Sequence, residues 1–309
     1  MRPVHISVIT INYNQSKLTD DFIKSVIKYT PKAITYEFII VDNCSSIDDY
    51  KKLQELIKAL NIDNIKLIRS KVNLGFGGGN MLGVQFSKGK NLAFINNDIV
   101  FTEDCFSSLI NHHDNNPNCG VSTPQQYNID GKPTSCFDYF HGIRKEMFGR
   151  KFIELTSGKI KRANKHYKEV VSADFIQGCF MFFPAHIFSL IGGFDTNIFL
   201  YYEEMDICYR LSKINYTSEL VPETSFNHLH GGSTKPSFMI KKELKISQLY
   251  ISRKHHNYLK YLTIKSLVLI KTILRALTTP AYWSLVTIIF TGRYIENSLK
   301  QKQKINFES

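Results

Sequence analysis

Four short stretches place Asn and Asp directly after apolar runs. Asn12-Tyr13-Asn14 follows the first, Asp42-Asn43 the second, Asn73 opens NLGFGGGN after the third, and Asn96-Asn97-Asp98 ends the fourth. Amides and carboxylates can hold the hydroxyls and base of a nucleotide, and an Asp can reach a hard divalent cation. A single Asp after a strand is more often a turn former or a helix cap. Four strand ends with the same habit point to one shared polar rim. Further on, Tyr201-Tyr202-Glu203-Glu204-Met205-Asp206 sets three carboxylates at a helix start. They complement the helix dipole, and one of them could also serve as a general base. His228 and His230 stand in NHLHGGST. A lone His is more often structural than a ligand, but two in a Gly-rich loop suit a metal.

The glycines of NLGFGGGN fit no standard nucleotide loop. Gly75 and Gly77 have the right spacing, but Asn80 stands where a dinucleotide fingerprint has its third Gly. No Lys-Ser/Thr follows, so it is no phosphate-binding loop of the Walker kind. Backbone N–H groups here could still approach a phosphate or sugar closely.

These residues need a scaffold. Residues 4–11 form a β-branched run typical of a strand buried on both faces. The pattern predicts a helix over 16–29, strands at 37–41, 65–70 and 91–95, and helices at 48–60 and 80–86, with 75–79 as a loop. Alternating strands and helices predict a mostly parallel, doubly wound α/β sheet, whose ligands bind outside the carboxyl ends of the strands. Residues 115–168 are rich in Asn, Gly, Pro and Lys and read as loops with short strands. Residues 173–183 regain strand character, 202–215 read as a helix, and the chain is mostly helical from 238.

The chain has 309 residues, 43% hydrophobic and 13% aromatic, which argues for a packed core. Its six cysteines show no metal spacing and read as free thiols of a reducing compartment. The N-terminus enters a strand without the apolar core of a signal peptide. Net charge is +12, and residues 240–309 hold thirteen Lys/Arg against three Asp/Glu. Ten of the twelve charges therefore sit in the last quarter, which predicts an anionic partner there. Residues 261–292 are apolar but broken by Lys265, Lys271, Arg275 and Pro280, too interrupted to span a bilayer. At about 100° per residue, Lys260, Lys265, Lys271 and Arg275 fall on one side, and Leu259, Leu262, Leu269, Ile270 and Ile273 on the other. That pattern suits a helix lying on an anionic membrane, or a helical subdomain packed on the core with a solvated basic face.

In this order, ISVITINYN, FIIVDNCSS, NLGFGGGN, FINNDIVF, IQGCFMFFPAHIFSLIGGFDTNIFLYYEEMDICYRL and HLHGGST resemble the family-two inverting glycosyltransferases of the GT-A fold. The match is closest to the rhamnosyltransferase-like branch that builds bacterial surface polysaccharides such as O-antigen. It implies a catalytic domain over residues 1–238 and a basic helical, membrane-associating region over 239–309. It implies that Asn12, Tyr13, Asp42 and Asn43, with Asn73, Gly75, Gly77, Asn96 and Asn97, hold the nucleotide-sugar. Asp98 would hold Mg²⁺ or Mn²⁺ with His228, and His230 would be the fallback. Asn96 stands where the family's Asp-x-Asp motif often has its first Asp. Glu204 matches the catalytic base, in a motif more often Glu-Asp. Asp174, Gly178 and Glu203 are candidate acceptor contacts.

The implied reaction is one in-line displacement at the anomeric carbon. It needs a base on the acceptor hydroxyl and positive charge on the leaving diphosphate, and no covalent nucleophile. The processive synthases of the family carry Gln-x-x-Arg-Trp, and Trp283, the single tryptophan, lies in no such motif. Single-sugar addition follows. The expected donor is dTDP-L-rhamnose, with UDP-galactofuranose or UDP-GlcNAc as alternatives. The expected acceptor is a lipid-linked saccharide at the inner face of the cell membrane, with no nucleic acid bound. Two other classes compete. A sugar-nucleotide nucleotidyltransferase would need a Gly-rich loop with Arg and Lys after the first strand, where this chain has INYNQSK. A non-enzymatic basic protein binding membrane or nucleic acid would use YISRKHHNYLKYL but leaves the Asn and Asp rim unexplained.

Overall fold

The computed structural model describes residues 3–229 and 237–305. His230 lies outside the described residues. The chain begins with three βα steps and a fourth strand: β1 (Ile6–Asn12), α1 (Ser16–Tyr29), β2 (Tyr36–Asn43), α2 (Ile47–Leu60), β3 (Ile65–Ser70), α3 (Gly75–Val84) and β4 (Asn91–Ile95). β1 pairs in parallel with β2 and β4, and β2 with β3. The expected parallel start is therefore present, and β1 and β4 are buried almost throughout, as a strand covered on both faces must be.

The second half continues as β5 (Ile99–Phe101), α4 (Phe106–Asn115), β6 (Cys119–Asn128), β7 (Pro133–Thr134), β8 (Phe137–Asp138), α5 (Ile143–Phe148) and α6 (Arg150–Thr156). Then come β9 (Val171–Ala173), β10 (Phe175–Ile176), β11 (Phe180–Pro184), α7 (Ala185–Leu190), α8 (Glu203–Lys213) and β12 (Thr217–His228). The sheet order is β3-β2-β1-β4-β11-β6-β12-β5. β11 runs antiparallel to both β4 and β6, and β12 runs parallel to β6. Two reversals return β12 to the direction of β4. Its carboxyl end, His228, thus comes to the same edge as the ends of β1, β2 and β4.

Residues 173–183 are not one strand. They divide into β9, β10 and β11, and the break at Gln177–Gly178–Cys179 sits on that same edge, where Asn96 N donates to Cys179 O. The glycine segment also departs from the predicted loop. It is helical from Gly75, because α3 gains from packing what it lacks in propensity. A Cβ on Gly79 would stand 2.8 Å from Ile11 Cδ1, and one on Gly83 2.6 Å from Ile9 Cγ2. The glycines let this helix lie almost directly on β1.

Beyond β12 the chain forms α9 (Phe238–His255), α10 (Tyr258–Thr278), α11 (Trp283–Thr291) and α12 (Tyr294–Asn297). These helices share an apolar cluster of Ile246, Leu249, Tyr261, Ile264, Val268, Leu285 and Ile289. α9 also gives Ile251 to the main core. Among the described residues, no helix is long and apolar enough to cross a membrane. The orientation of α10 differs from the helical-wheel expectation. Its buried stripe is Tyr261, Ile264, Val268, Thr272 and Ala276, on the lysine side of the wheel. Leu259 and Ile270, on the apolar side, are 76% and 55% exposed, and Leu274 and Leu277 lie beside them in the open. The long lysine stems flank the packed face: Lys265 Nζ donates to Phe290 O, and Lys271 pairs with Glu146. The six cysteines are all unpaired, and five are buried.

Candidate active site

At the first two strand ends, Asn12 acts as a strut. It is fully buried, and its amide nitrogen lies 3.0 Å from Asp42 Oδ1, 3.1 Å from Ser45 Oγ and 2.9 Å from Asp49 Oδ2. Thr19 Oγ1 donates to Asn12 Oδ1, and Asn97 Nδ2 donates in turn to Thr19 Oγ1. Asn12 and Asn97, from separate strand ends, are thereby joined through one hydroxyl. Asp42 is also fully buried and has Arg69 Nε 3.9 Å away. Tyr13, the next residue after Asn12, is 40% exposed.

Asn43 and Asn73 shape the entry to α3. Asn43 Nδ2 donates to Asn73 Oδ1 and to Gly75 O, while Asn43 Oδ1 accepts from Leu74 N. Gly75 sits at φ +73°, and a Cβ there would fall 2.1 Å from Phe199 O. That carbonyl accepts from Phe76 N at 3.0 Å. The glycine segment is thus clamped to the loop that leads into α8. Gly77 is buried, with its Cβ position 3.6 Å from Glu203 Cγ. Both glycines support the carboxylate helix from behind.

At the centre of the edge, Asp98 Oδ1 lies 3.2 Å from His228 Nε2, and His228 Nδ1 lies 3.2 Å from Gln126 Nε2. The antiparallel register of His228 with Ile99 fixes this meeting. One carboxylate and one imidazole side by side suit a divalent cation that accepts oxygen and nitrogen, and this donor set fits the metal inferred from sequence. Asn96 is next along, its N–H held by Cys179 O at 2.8 Å.

A cavity of about 440 Å³ opens beside Asn96 and is walled by Glu203, Glu204, Gly178, Tyr202, His141 and Asp138, among others. Tyr201 and Tyr202, just before α8, have φ of 71° and 72°. Two successive bulky residues in the left-handed region store strain at the mouth of the helix. This turn aims the first residues of α8 into the cavity. Glu203 is buried, and its Oε1 has no hydrogen-bond partner among the described residues. Burial, then the neighbouring Glu204 charge, pushes the Glu203 carboxyl well above the usual range. Glu204 is half-buried, and burial raises its carboxyl to about 7. Of two adjacent acids that cannot both ionise cheaply, the deeper keeps its proton and Glu204 ionises first.

Asp206, the third acid, has a different fate. Burial would raise its carboxyl, but the His255 hydrogen bond, the Arg210 charge and Lys254 outweigh it and bring it to about 2. His255 Nε2 and Lys254 Nζ reach Asp206 Oδ1 at 2.7 and 2.8 Å, and Arg210 Nη2 reaches Oδ2 at 2.7 Å. Asp206 therefore bolts α8 to α9. Of the acceptor candidates, Glu203 and Gly178 line the cavity. Asp174 does not: both its oxygens take Lys159 Nζ, and one also accepts from Phe140 N.

Sequence reasoning missed His141 and Asp138, from a stretch with no periodic pattern. Tyr202 Oη lies 3.3 Å from His141 Nε2, and burial followed by the Lys145 charge lowers that imidazole to about 4. His141 is thus a neutral wall residue near pH 7. The local signal available was a lone aromatic-rich YFHG, too common to single out.

The family described as Glycosyl transferase family 2 matches residues 7–187. The chain is 27% identical over 214 residues to the Low-salt glycan biosynthesis hexosyltransferase Agl10 of Haloferax volcanii, covering 68% of this chain and 62% of that protein. Among solved structures it is similar to GalNAc-T7 with UDP, GalNAc and Mn²⁺, at TM-score 0.59 and 18% identity over 80% of this chain and 48% of that one. It is also similar to the mannosyltransferase PcManGT of Pyrobaculum calidifontis with GDP-Man and Mn²⁺, at TM-score 0.56 and 12% identity over 95% and 85% of the two chains. At these identities the structural likenesses establish the GT-A fold. The chain spans less than two thirds of the curated relative it matches.

Proposed function

This chain belongs to glycosyl transferase family 2, and from that premise we infer that it moves one hexosyl residue from a nucleotide-sugar to a saccharide acceptor with inversion. The observation that carries the reading is Glu204, a carboxylate raised to about 7, on the wall of a 440 Å³ cavity that also meets Asn96. A base whose proton affinity matches neutral pH contributes roughly 10²–10⁴ in rate.

Tyr13, Asp42 and Asn43 receive the base and ribose, with Asn12 behind them. Asn73, Gly75, Gly77 and Asn97 hold these groups in place. Asn96 lines the Glu204 cavity and adjoins Asn97 and Asp98 in the chain. Glu204 takes the proton from the acceptor hydroxyl as that oxygen attacks the anomeric carbon. The bond to the nucleoside diphosphate breaks as the new glycosidic bond forms. Asp98 and His228 would hold Mn²⁺ or Mg²⁺, which when bound offsets charge on the leaving diphosphate. Glu203, protonated, keeps a second negative charge away from Glu204, and neutral His141 adds no positive charge that would lower its proton affinity.

The donor we propose to test first is dTDP-L-rhamnose, then UDP-galactofuranose, UDP-GlcNAc and GDP-mannose. The acceptor is a lipid-linked saccharide. Support comes from ten excess positive charges in the last quarter and from the exposed stripe Leu259, Ile270, Leu274 and Leu277 on α10. An apolar stripe beside basic side chains suits the anionic inner face of a membrane. The test is a donor panel scored for thermal stabilisation with and without Mn²⁺, followed by turnover on a lipid-linked acceptor. If no nucleotide-sugar stabilises the protein and none is consumed, the reading is wrong.

A further inference from the structure

A second cavity, of about 360 Å³, lies between α9, α10 and α11. Lys241, Lys245, Lys271 and Arg275 line it, with Glu146 as its one acid. Its floor is apolar, made by Leu244, Val268, Tyr282 and Leu285. Four cations against one carboxylate leave it strongly positive. Glu146 is already engaged, accepting from Lys271 Nζ at 2.9 Å and from Gln248 Nε2 at 3.0 Å. Lys241 and Arg275 make no ion pair among the described residues. Arg275 lies over the Tyr282 ring, 5.1 Å from its centroid, which fixes the guanidinium at the cavity.

This cavity adjoins the first. Leu244 lines both. His141 of the first cavity lies 4.0 Å from Glu146 of the second. On its outer side, the helix that supplies Lys271 and Arg275 also carries the exposed Ile270, Leu274 and Leu277. A cationic pocket therefore sits between the Glu204 cavity and an apolar surface.

We propose that this pocket binds the diphosphate that joins the acceptor saccharide to its lipid, with the sugar end in the Glu204 cavity and the apolar chain on α10. The proposal rests on the acceptor reading above. The ligand must be amphiphilic, anionic at one point and sugar-bearing beyond it. Lys and Arg donors around a diphosphate form charge-assisted hydrogen bonds, the stronger kind.

The test uses the full chain and Lys241→Gln/Arg275→Gln, two exposed positions whose change leaves the apolar cluster intact, as a thermal melt verifies. Farnesyl diphosphate binding is read from fluorescence of Trp283, the single tryptophan, next to Tyr282. The double variant should bind farnesyl diphosphate at least about tenfold more weakly, since charge-assisted contacts of this kind reach that size. Farnesol should bind neither protein measurably. Its preference for a diphosphate-linked acceptor over an alkyl glycoside should fall about tenfold in kcat/KM. No wild-type binding, or equal binding by the variant, overturns the pocket. Inorganic diphosphate competing as well as farnesyl diphosphate marks a free-anion site and overturns the lipid assignment. Binding without any turnover sustains the pocket and overturns the transfer reading instead.

Discussion

Asp98 Oδ1 and His228 Nε2 meet at 3.2 Å although 130 residues separate them in the chain. The pair forms because β12 re-enters the sheet parallel to β6 and then pairs with β5, directly after Asp98. A carboxylate whose neighbour is an imidazole can share a cation that it could not hold well alone.

Replacing that carboxylate tests the pair without relying on turnover. Mn²⁺ together with UDP should raise the melting temperature of the wild type, because a ligand bound only by the folded state stabilises it. Asp98→Asn should lose the Mn²⁺-dependent part of that rise. An unchanged Mn²⁺ increment in the variant would place the cation elsewhere.

Glu204→Gln should lower kcat by about 10²–10⁴ while leaving donor KM nearly unchanged, because it removes a proton acceptor and little binding. In the wild type, kcat should rise with pH and level off above about 7, where the carboxylate is ionised. Stopped initial-rate assays between pH 5 and 9 measure both. A near-wild-type kcat in the variant would sink the base assignment.

The same residue makes a stability prediction of opposite sign. Its folded proton affinity is raised from the usual 4.5 to about 7. The favourable contribution of the protonated form is complete below pH 4.5 and is lost as pH rises through about 7. Glu204→Gln, which cannot ionise, should therefore melt higher than wild type at pH 8. The difference should close toward pH 4.5. Scanning fluorimetry across that range reads it directly.

Asp206 works the other way. Its carboxyl is held at about 2, so its stabilisation is present above the usual 3.8 and is lost as pH falls toward 2. Asp206→Asn leaves His255, Lys254 and Arg210 without their shared acceptor. Breaking a buried pair costs about 3–5 kcal/mol, and the partial exposure of Lys254 and Arg210 reduces this to about 2 kcal/mol. Urea denaturation at pH 7 should show it, with most of the loss gone near pH 2.

Gly75→Ala should be more harmful than an ordinary helix-end substitution. The new Cβ would need a left-handed backbone, costing about 1–2 kcal/mol, and would overlap Phe199 O. The loop to α8 must move, so kcat should fall together with stability. An alanine variant with unchanged melting and unchanged kcat would show that this clamp does not position Glu204.

Much of the frame could be read from local pattern. β1, β2 and β4 are largely buried apolar runs, with β3 half-buried at the sheet edge, and a polar group follows each because the strand stops where the core stops. Glu203, Glu204 and Asp206 were legible as a helix-start cluster. α3 was not, since GFGGGN has poor helix propensity and gains its helix only from lying against Ile9 and Ile11. The orientation of α10 was also hidden. A helical wheel shows two sides, and which of them packs depends on the neighbouring α9 and α11.

The sequence alone determined the parallel βα frame, its polar rim and the charge asymmetry of the chain, because these follow from residue periodicity and composition. The tertiary structure decided which acids do which work. Glu203, Glu204 and Asp206 lie within four residues, yet one is deep with an oxygen unpartnered among the described residues, one is half-buried at the cavity wall, and one is bound to His255, Lys254 and Arg210. Proton affinity depends on what solvates a carboxylate, and that environment is assembled from α3, α9 and the 199–202 turn rather than from the residues beside it.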